Sequence, residues 1–422
     1  MSSSKLAGYA LLSLAILCPS ITLAQERLVT EKDNLTGNER TEFHKFRDGQ
    51  NQVLKANKPL LDKAARWYVG RLTWKEVHTK SLEQPTGGIV VTMNDLVNEA
   101  LRHIPPARKF QQKAGTRQNQ ILYCREYGKS IAAVVNEILK NPAQPPIAQV
   151  NAVRILAALG ETGVEDFAGP LAEIVDAPEL NDAVKLHALR GLHALFTESA
   201  PFKDNALETK TLVTLDNFVK RPPNYPKSAS EGEIAAFRYV RRAAVRALGA
   251  GRTPRITEKG KPLAKPALHL IKILSGDGVE PPPDLREQIE AAIAVCQLDP
   301  KTAPGYNPDY TAQHLAAFTL EFCNRFNEDR SRTGGKTLAW AVEAARIDVA
   351  LSDLKKNAPD NAYVAEVANR CKDLLREVES EKPPLPASLN SVRAMVAEKP
   401  PKSKLVFTDD PDSAVKLPGP AE

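Results

Sequence analysis

From Glu42 onward, apolar side chains recur at spacings of three, four and seven residues, the period of helices that bury one face. Between Glu42 and Thr79 the set is Phe43, Phe46, Val53, Leu54, Leu60, Leu61, Trp67, Leu72 and Trp74, with Pro59 marking a joint. Gln84-Pro85-Thr86-Gly87-Gly88 reads as a turn. Thr92 and Asp95 then form a capping pair ahead of a helix carrying Leu96, Ala100 and Leu101, which Pro105-Pro106 ends. A longer helix is predicted from about Thr116 to Leu139, where Ile121, Leu122, Ile131, Val134, Val135, Ile138 and Leu139 make a stripe that stops at Asn141-Pro142. Beyond Pro304 the pattern predicts helices over Gln313 to Phe326, Thr337 to Leu354 and Ala362 to Val378. The fold class this implies is all-α.

The two ends lack the pattern. The first 24 residues read as a secretory signal: Lys5 is the positive start, Leu6 to Leu17 the apolar stretch, and Thr22-Leu23-Ala24 the small-residue cleavage site. A retained membrane anchor is the alternative, although the apolar stretch is shorter than the roughly 20 residues that span a bilayer. No later segment approaches that length, so no transmembrane span is expected after cleavage. Gln25 to about Arg40 is charged and unpatterned and reads as flexible. Glu381 to Glu422 holds eight prolines in 42 residues without periodicity, the composition of a disordered tail. The expected divisions are a signal over 1–24, an N-terminal helical region over 25–110, a repeat region over 111–300, C-terminal helices over 301–380, and the tail over 381–422.

The repeats lie in the middle. Ala152-Val153-Arg154-Ile155-Leu156-Ala157-Ala158-Leu159-Gly160 returns as His187-Ala188-Leu189-Arg190-Gly191-Leu192-His193-Ala194-Leu195. It returns again as Ala243-Ala244-Val245-Arg246-Ala247-Leu248-Gly249 and, more faintly, as Ala291-Ala292-Ile293-Ala294-Val295-Cys296. Arg154 and Arg190 stand 36 residues apart; the later intervals carry insertions such as Arg221-Pro222-Pro223-Asn224-Tyr225-Pro226, where successive prolines deny a helix its donors. Thr253 to Pro266 and Pro281-Pro282-Pro283 read as loops too.

Gly160-Glu161-Thr162-Gly163 followed by Gly169-Pro170-Leu171-Ala172-Glu173-Ile174-Val175 and Asp176 resembles the turn and second helix of short HEAT repeats related to those of bilin lyases. The resemblance covers roughly residues 147–298 and implies an α-solenoid of helical hairpins with flanking helices. It also implies a long exposed surface suited to binding, because each hairpin needs a neighbour to bury its second face. It carries no activity over. Some relatives of these repeats are iron-dependent hydroxylases using adjacent His-Glu pairs, and no histidine here is followed by glutamate.

Composition agrees with helices: aromatics are 6% of the chain while alanine recurs throughout. The formal charge of +6 falls to +5 once Lys5 is removed, too mild over this length to point to nucleic acid. Of the four cysteines outside the signal, Cys323 and Cys371 are a candidate disulfide between neighbouring helices, against the plainer reading of buried small hydrophobes.

Candidate chemistry is sparse. Gly334-Gly335-Lys336-Thr337 has the ending of a phosphate-binding loop, but Arg330 stands where that loop needs glycine, so the pair reads as a helix end before a helix starting at Thr337. No two histidines share a helix face at three or four residues, and there is no Cys-x-x-Cys or Gly-x-Ser-x-Gly. No catalytic residue, metal site or cofactor is therefore assigned. The clearest surface signal is charge: Arg238 to Lys272 holds ten basic residues and one acid, Glu258. Arg238, Arg242 and Arg246 fall on one helix face opposite Phe237, Val240, Ala244 and Leu248; Arg241 lies at the border, placed to pair with a neighbouring repeat, and Arg252 and Arg255 follow in a loop. The sequence thus reads as an exported, non-catalytic scaffold for a protein partner, with an anionic polysaccharide or lipid surface as the alternative ligand and a scattered-residue enzyme as the second alternative.

Overall fold

The computed structural model describes residues 27–80, 91–223, 228–303, 305–398 and 401. The signal stretch, the turn at 84–88 and the end of the tail lie outside these residues. Those described are mostly helical and form an all-α chain.

The first helices are α1 (Gly37–Arg47), α2 (Lys58–Gly70), α3 (Lys75–Lys80), α4 (Met93–Leu101) and α5 (Ala114–Lys140). Caps set their starts. Thr36 accepts from the Glu39 amide at the head of α1, and Thr92 accepts from the Asp95 amide at 3.2 Å at the head of α4, each acid returning a bond to the cap's own amide. In the core of this region Phe43 meets His103, Tyr123 and Tyr127 edge to face and stacks on Tyr68, and the Tyr123 hydroxyl donates to the His103 carbonyl at 2.9 Å. Within the described residues 27–40 the expected flexibility is corrected: Val29 and Leu35 are buried, and the Trp74 indole donates to the Val29 carbonyl at 2.8 Å. Two apolar anchors outweigh the charge around them.

The repeat region comprises α6 (Pro146–Ala158), α7 (Ala168–Asp176), α8 (Asp182–Ser199), α9 (Asn205–Lys220), α10 (Glu231–Ala250), α11 (Pro266–Ser275) and α12 (Leu285–Gln297). Then come α13 (Pro308–Thr333), α14 (Trp340–Asn357), α15 (Ala362–Glu379) and α16 (Pro386–Glu398). Contacts run in two series. α6 packs on α8, α8 on α10, α10 on α12 and α12 on α14; beside them α7 packs on α9, α9 on α11, α11 on α13 and α13 on α15. Cross-links such as α7 on α8, α11 on α12 and α14 on α15 join the two rows.

The small residues of the repeated segments sit at the first row's crossings. A Cβ on Gly191 of α8 would come 2.8 Å from the Ala157 Cα of α6, and one on Gly249 of α10 would come 2.6 Å from the Ala294 Cα of α12. Glycine and alanine recur there because the backbones themselves touch.

Three other expectations need correction. The 253–266 loop contains a two-stranded antiparallel hairpin, β1 (Ile256–Glu258) and β2 (Lys261–Ala264), turned at Lys259 and Gly260, which both have positive φ as two-residue hairpin turns demand. The glycine pair at 334–335 does end α13, yet α14 starts at Trp340 rather than Thr337, because Asp329 accepts from the Thr337 amide and the Trp340 indole and holds the connection open. Residues 381–398 are not a disordered tail. Pro386 occupies the first position of α16, where its missing N–H costs nothing, and Leu389, Val392, Met395 and Val396 are buried against α13 and α15. Averaged proline content hid that local stripe.

Candidate interaction surface

α10 carries the basic residues singled out from sequence, and α12 answers them. Arg241 is buried; its Nε and Nη2 donate to the two Glu287 oxygens at 2.7 and 3.1 Å, and its remaining protons go to the carbonyls of Glu280 and Pro281 at 3.2 and 2.9 Å. Arg238 donates to the Pro282 carbonyl at 2.5 Å, its Nε 3.7 Å from Glu287. Burial pushes the Glu287 carboxyl up, and Arg241 pulls it partly back. Arg246 pairs with Glu290, which also accepts twice from Arg346 of α14 at 2.8 and 2.9 Å; Arg346 reaches Glu343 as well, at 2.6 Å. Burial pushes the Glu290 carboxyl up, but its two arginines outweigh that and hold it below the usual range.

The expected row of three free arginines is thus only partly one. Arg241 does pair across to the next repeat, as its border position predicts. Arg242 remains half-buried, its guanidinium 5.0 Å over the Tyr239 ring, and Tyr239 also accepts from Arg190 of α8 at 2.6 Å. Arg252 and Arg255 sit apart, lining a cavity of about 570 Å³ beside α9 and the hairpin; Arg252 is exposed with φ of 57°. Sequence reading missed Glu287, Glu290 and Arg346. The signal for the two acids was their spacing of three residues just ahead of the faint fourth repeat, one helical turn that faces the arginines from across the crossing.

Chemistry elsewhere is structural. The Asp216 carboxylate, buried on α9, meets Nδ1 of His269 on α11 at 2.7 Å beside a cavity of about 310 Å³, whose described lining includes Lys220, Arg221 and Lys272 but no serine or cysteine. Among the described residues no group of three or more His, Cys, Asp or Glu is placed to hold a metal ion, and no helix is long and apolar enough to cross a membrane. Cys323 and Cys371 are free buried thiols on α13 and α15, so the candidate disulfide is not formed. Burial pushes both thiols up, Cys371 to about 12, and starves them of the thiolate that oxidation needs. A cavity of about 780 Å³ opens between α5, α6 and α7 with a mainly apolar lining.

Burial, with Arg190 and Arg154 adding positive charge nearby, lowers His187 to about 4. No protein-family model matches the chain, and no curated protein matches it.

Proposed function

We propose that this chain is a non-catalytic scaffold for a protein partner, built as an α-solenoid of HEAT-like repeats and exported from the cytoplasm. The observation that carries the reading is where large apolar side chains stay in solvent. Ile147 on α6, Tyr239 on α10, and Val342 and Val349 on α14 are 45% to 64% exposed, whereas among the described residues none of α7, α9, α11 and α13 exposes one. Four of the eight exposed large apolar side chains among the described residues thus lie on one row of helices and none on the helices of the other, the rest falling on connections and the hairpin, and exposed apolar groups mark interaction surfaces. Arg154 and Arg190, which meet no carboxylate among the described residues, and exposed Tyr239 lie on that same row, and both residue types are enriched where proteins bind each other.

An anionic polysaccharide or lipid surface bound through residues 238–272 is less well supported. Arg238, Arg241 and Arg246 already hold carboxylate or carbonyl partners, which leaves exposed Arg252, Lys259 and Lys261 as its main cations. The test is site-specific photo-crosslinking in the cell envelope from Ile147, Tyr239 and Val342, with exposed Lys210 of α9 and Glu321 of α13 as controls. The scaffold reading expects one protein captured from all three row positions and from neither control. Capture from the controls alone, or from no position, contradicts it.

A further inference from the structure

Arg154 of α6 and Arg190 of α8 hold the repeat position that Arg246 holds in α10, yet they lack its partner. Arg246 has Glu290; Arg154 donates to the Asn94 side chain at 3.3 Å and Arg190 to the Tyr239 hydroxyl, and among the described residues neither meets a carboxylate. Both line a cleft of about 380 Å³ with Arg108 and Lys109, over a floor that includes Leu101, Ile104, Ala157 and Ala194. Glu161 is the one acid among the lining residues, set against four cations.

We infer that this cleft receives an acidic segment of a protein partner, with carboxylates on the Arg154 and Arg190 guanidinia and an apolar side chain on the floor between them. Arginine presents two parallel N–H groups that match a carboxylate, so an unpaired arginine on a rim is a receptor for one. Two such rims across one cleft select at least two acids along the ligand. The floor then discriminates the class of ligand: a free phosphate would satisfy the rim and leave the apolar surface wet, whereas a peptide covers both. Beyond the lining, exposed Tyr239 of α10 accepts from Arg190 and lies under Arg242, an aromatic neighbour of the Arg190 rim.

The inference rests on the scaffold reading and names its partner's chemistry. It is tested by selecting a displayed random-peptide library on the full chain, then measuring a labelled enriched peptide by fluorescence anisotropy. Enrichment of Asp or Glu beside Leu, Ile or Phe is expected. Binding should weaken with salt and by about tenfold or more in the R154Q/R190Q double variant, be partly retained in R154K/R190K, and be unchanged in the hairpin variant K259Q/K261Q. Thermal melts of each variant check that these surface changes leave the fold intact. Peptides without acidic preference, binding indifferent to R154Q/R190Q, or inorganic phosphate held as tightly as the peptide would each overturn the inference. Should the row positions still crosslink one protein while the peptides ignore both arginines, this inference alone falls; failure of crosslinking removes the scaffold reading itself.

Discussion

Burial lowers five histidines, His44, His103, His187, His193 and His314, and ties the stability of this chain to pH, three of them falling furthest. Burial lowers His103 to about 3, helped by Arg47 and His44, and lowers His314 to about 4; His187, more exposed, falls to about 4 through burial and its two arginines. An unfolded histidine takes up a proton near pH 6.5, while these remain neutral in the fold, so the unfolded state binds more protons as pH falls. The stability they contribute is complete above about 6.5 and is lost toward their folded values. For His103 and His314 the slope is about 1.4 kcal/mol per pH unit each in that window. Urea unfolding at pH 7 and pH 5 measures it, and the His314→Gln variant should show a shallower dependence. A midpoint unmoved between the two pH values would contradict the assignment. Sequence reading excluded these histidines as metal ligands from their spacing, but their neutrality depends on burial, which only packing reveals.

At the scale of single elements, what could be read from sequence followed the locality of the interaction. The Thr92 and Asp95 cap spans one turn, and α5 was predicted within two residues of each end because its stripe and its stop signal are contiguous. The tail helix α16 was missed although Leu389, Val392 and Val396 keep helical spacing, since its stability comes from α13 and α15, including a Gln313 side-chain bond to the Val396 carbonyl at 2.8 Å. The arginine row was half legible. Helical phase put Arg238, Arg242 and Arg246 on one face, but Arg238 and Arg246 turn to α12 and its approach while Arg242 lies over Tyr239, and charge counted within a 35-residue window could not include the acids of α12. Glu287 and Arg241 illustrate the cost of that contact: removing one partner strands the other's charge in a buried site. Arg241→Met should destabilise the chain by about 3–5 kcal/mol in denaturant titration, because it takes the two-pronged guanidinium from buried Glu287, which keeps only the Asp284 amide and the more distant Arg238, and removes the donor to two carbonyls. A loss below about 1 kcal/mol would mean the pair is solvated.

Across the whole molecule the contacts follow sequence order, each helix of a row touching the next one along. In the α-solenoid proposed above, such a chain has no single centre and a local defect should stay local. Gly249 is the place to introduce one, since an added Cβ meets the Ala294 backbone of α12. By contrast Gly115, near the start of α5, faces open space. Overpacking at a backbone crossing costs about 1–3 kcal/mol, whereas alanine for glycine in an open helix is neutral or gains up to about 1 kcal/mol. Hydrogen exchange of the Gly249→Ala variant, compared helix by helix with the native chain and with Gly115→Ala, is the most direct test. The account predicts faster exchange centred on α10 and α12, fading through α8 and α14, with α2 and α5 unchanged. An equal acceleration in every helix would show one cooperative globule and contradict it.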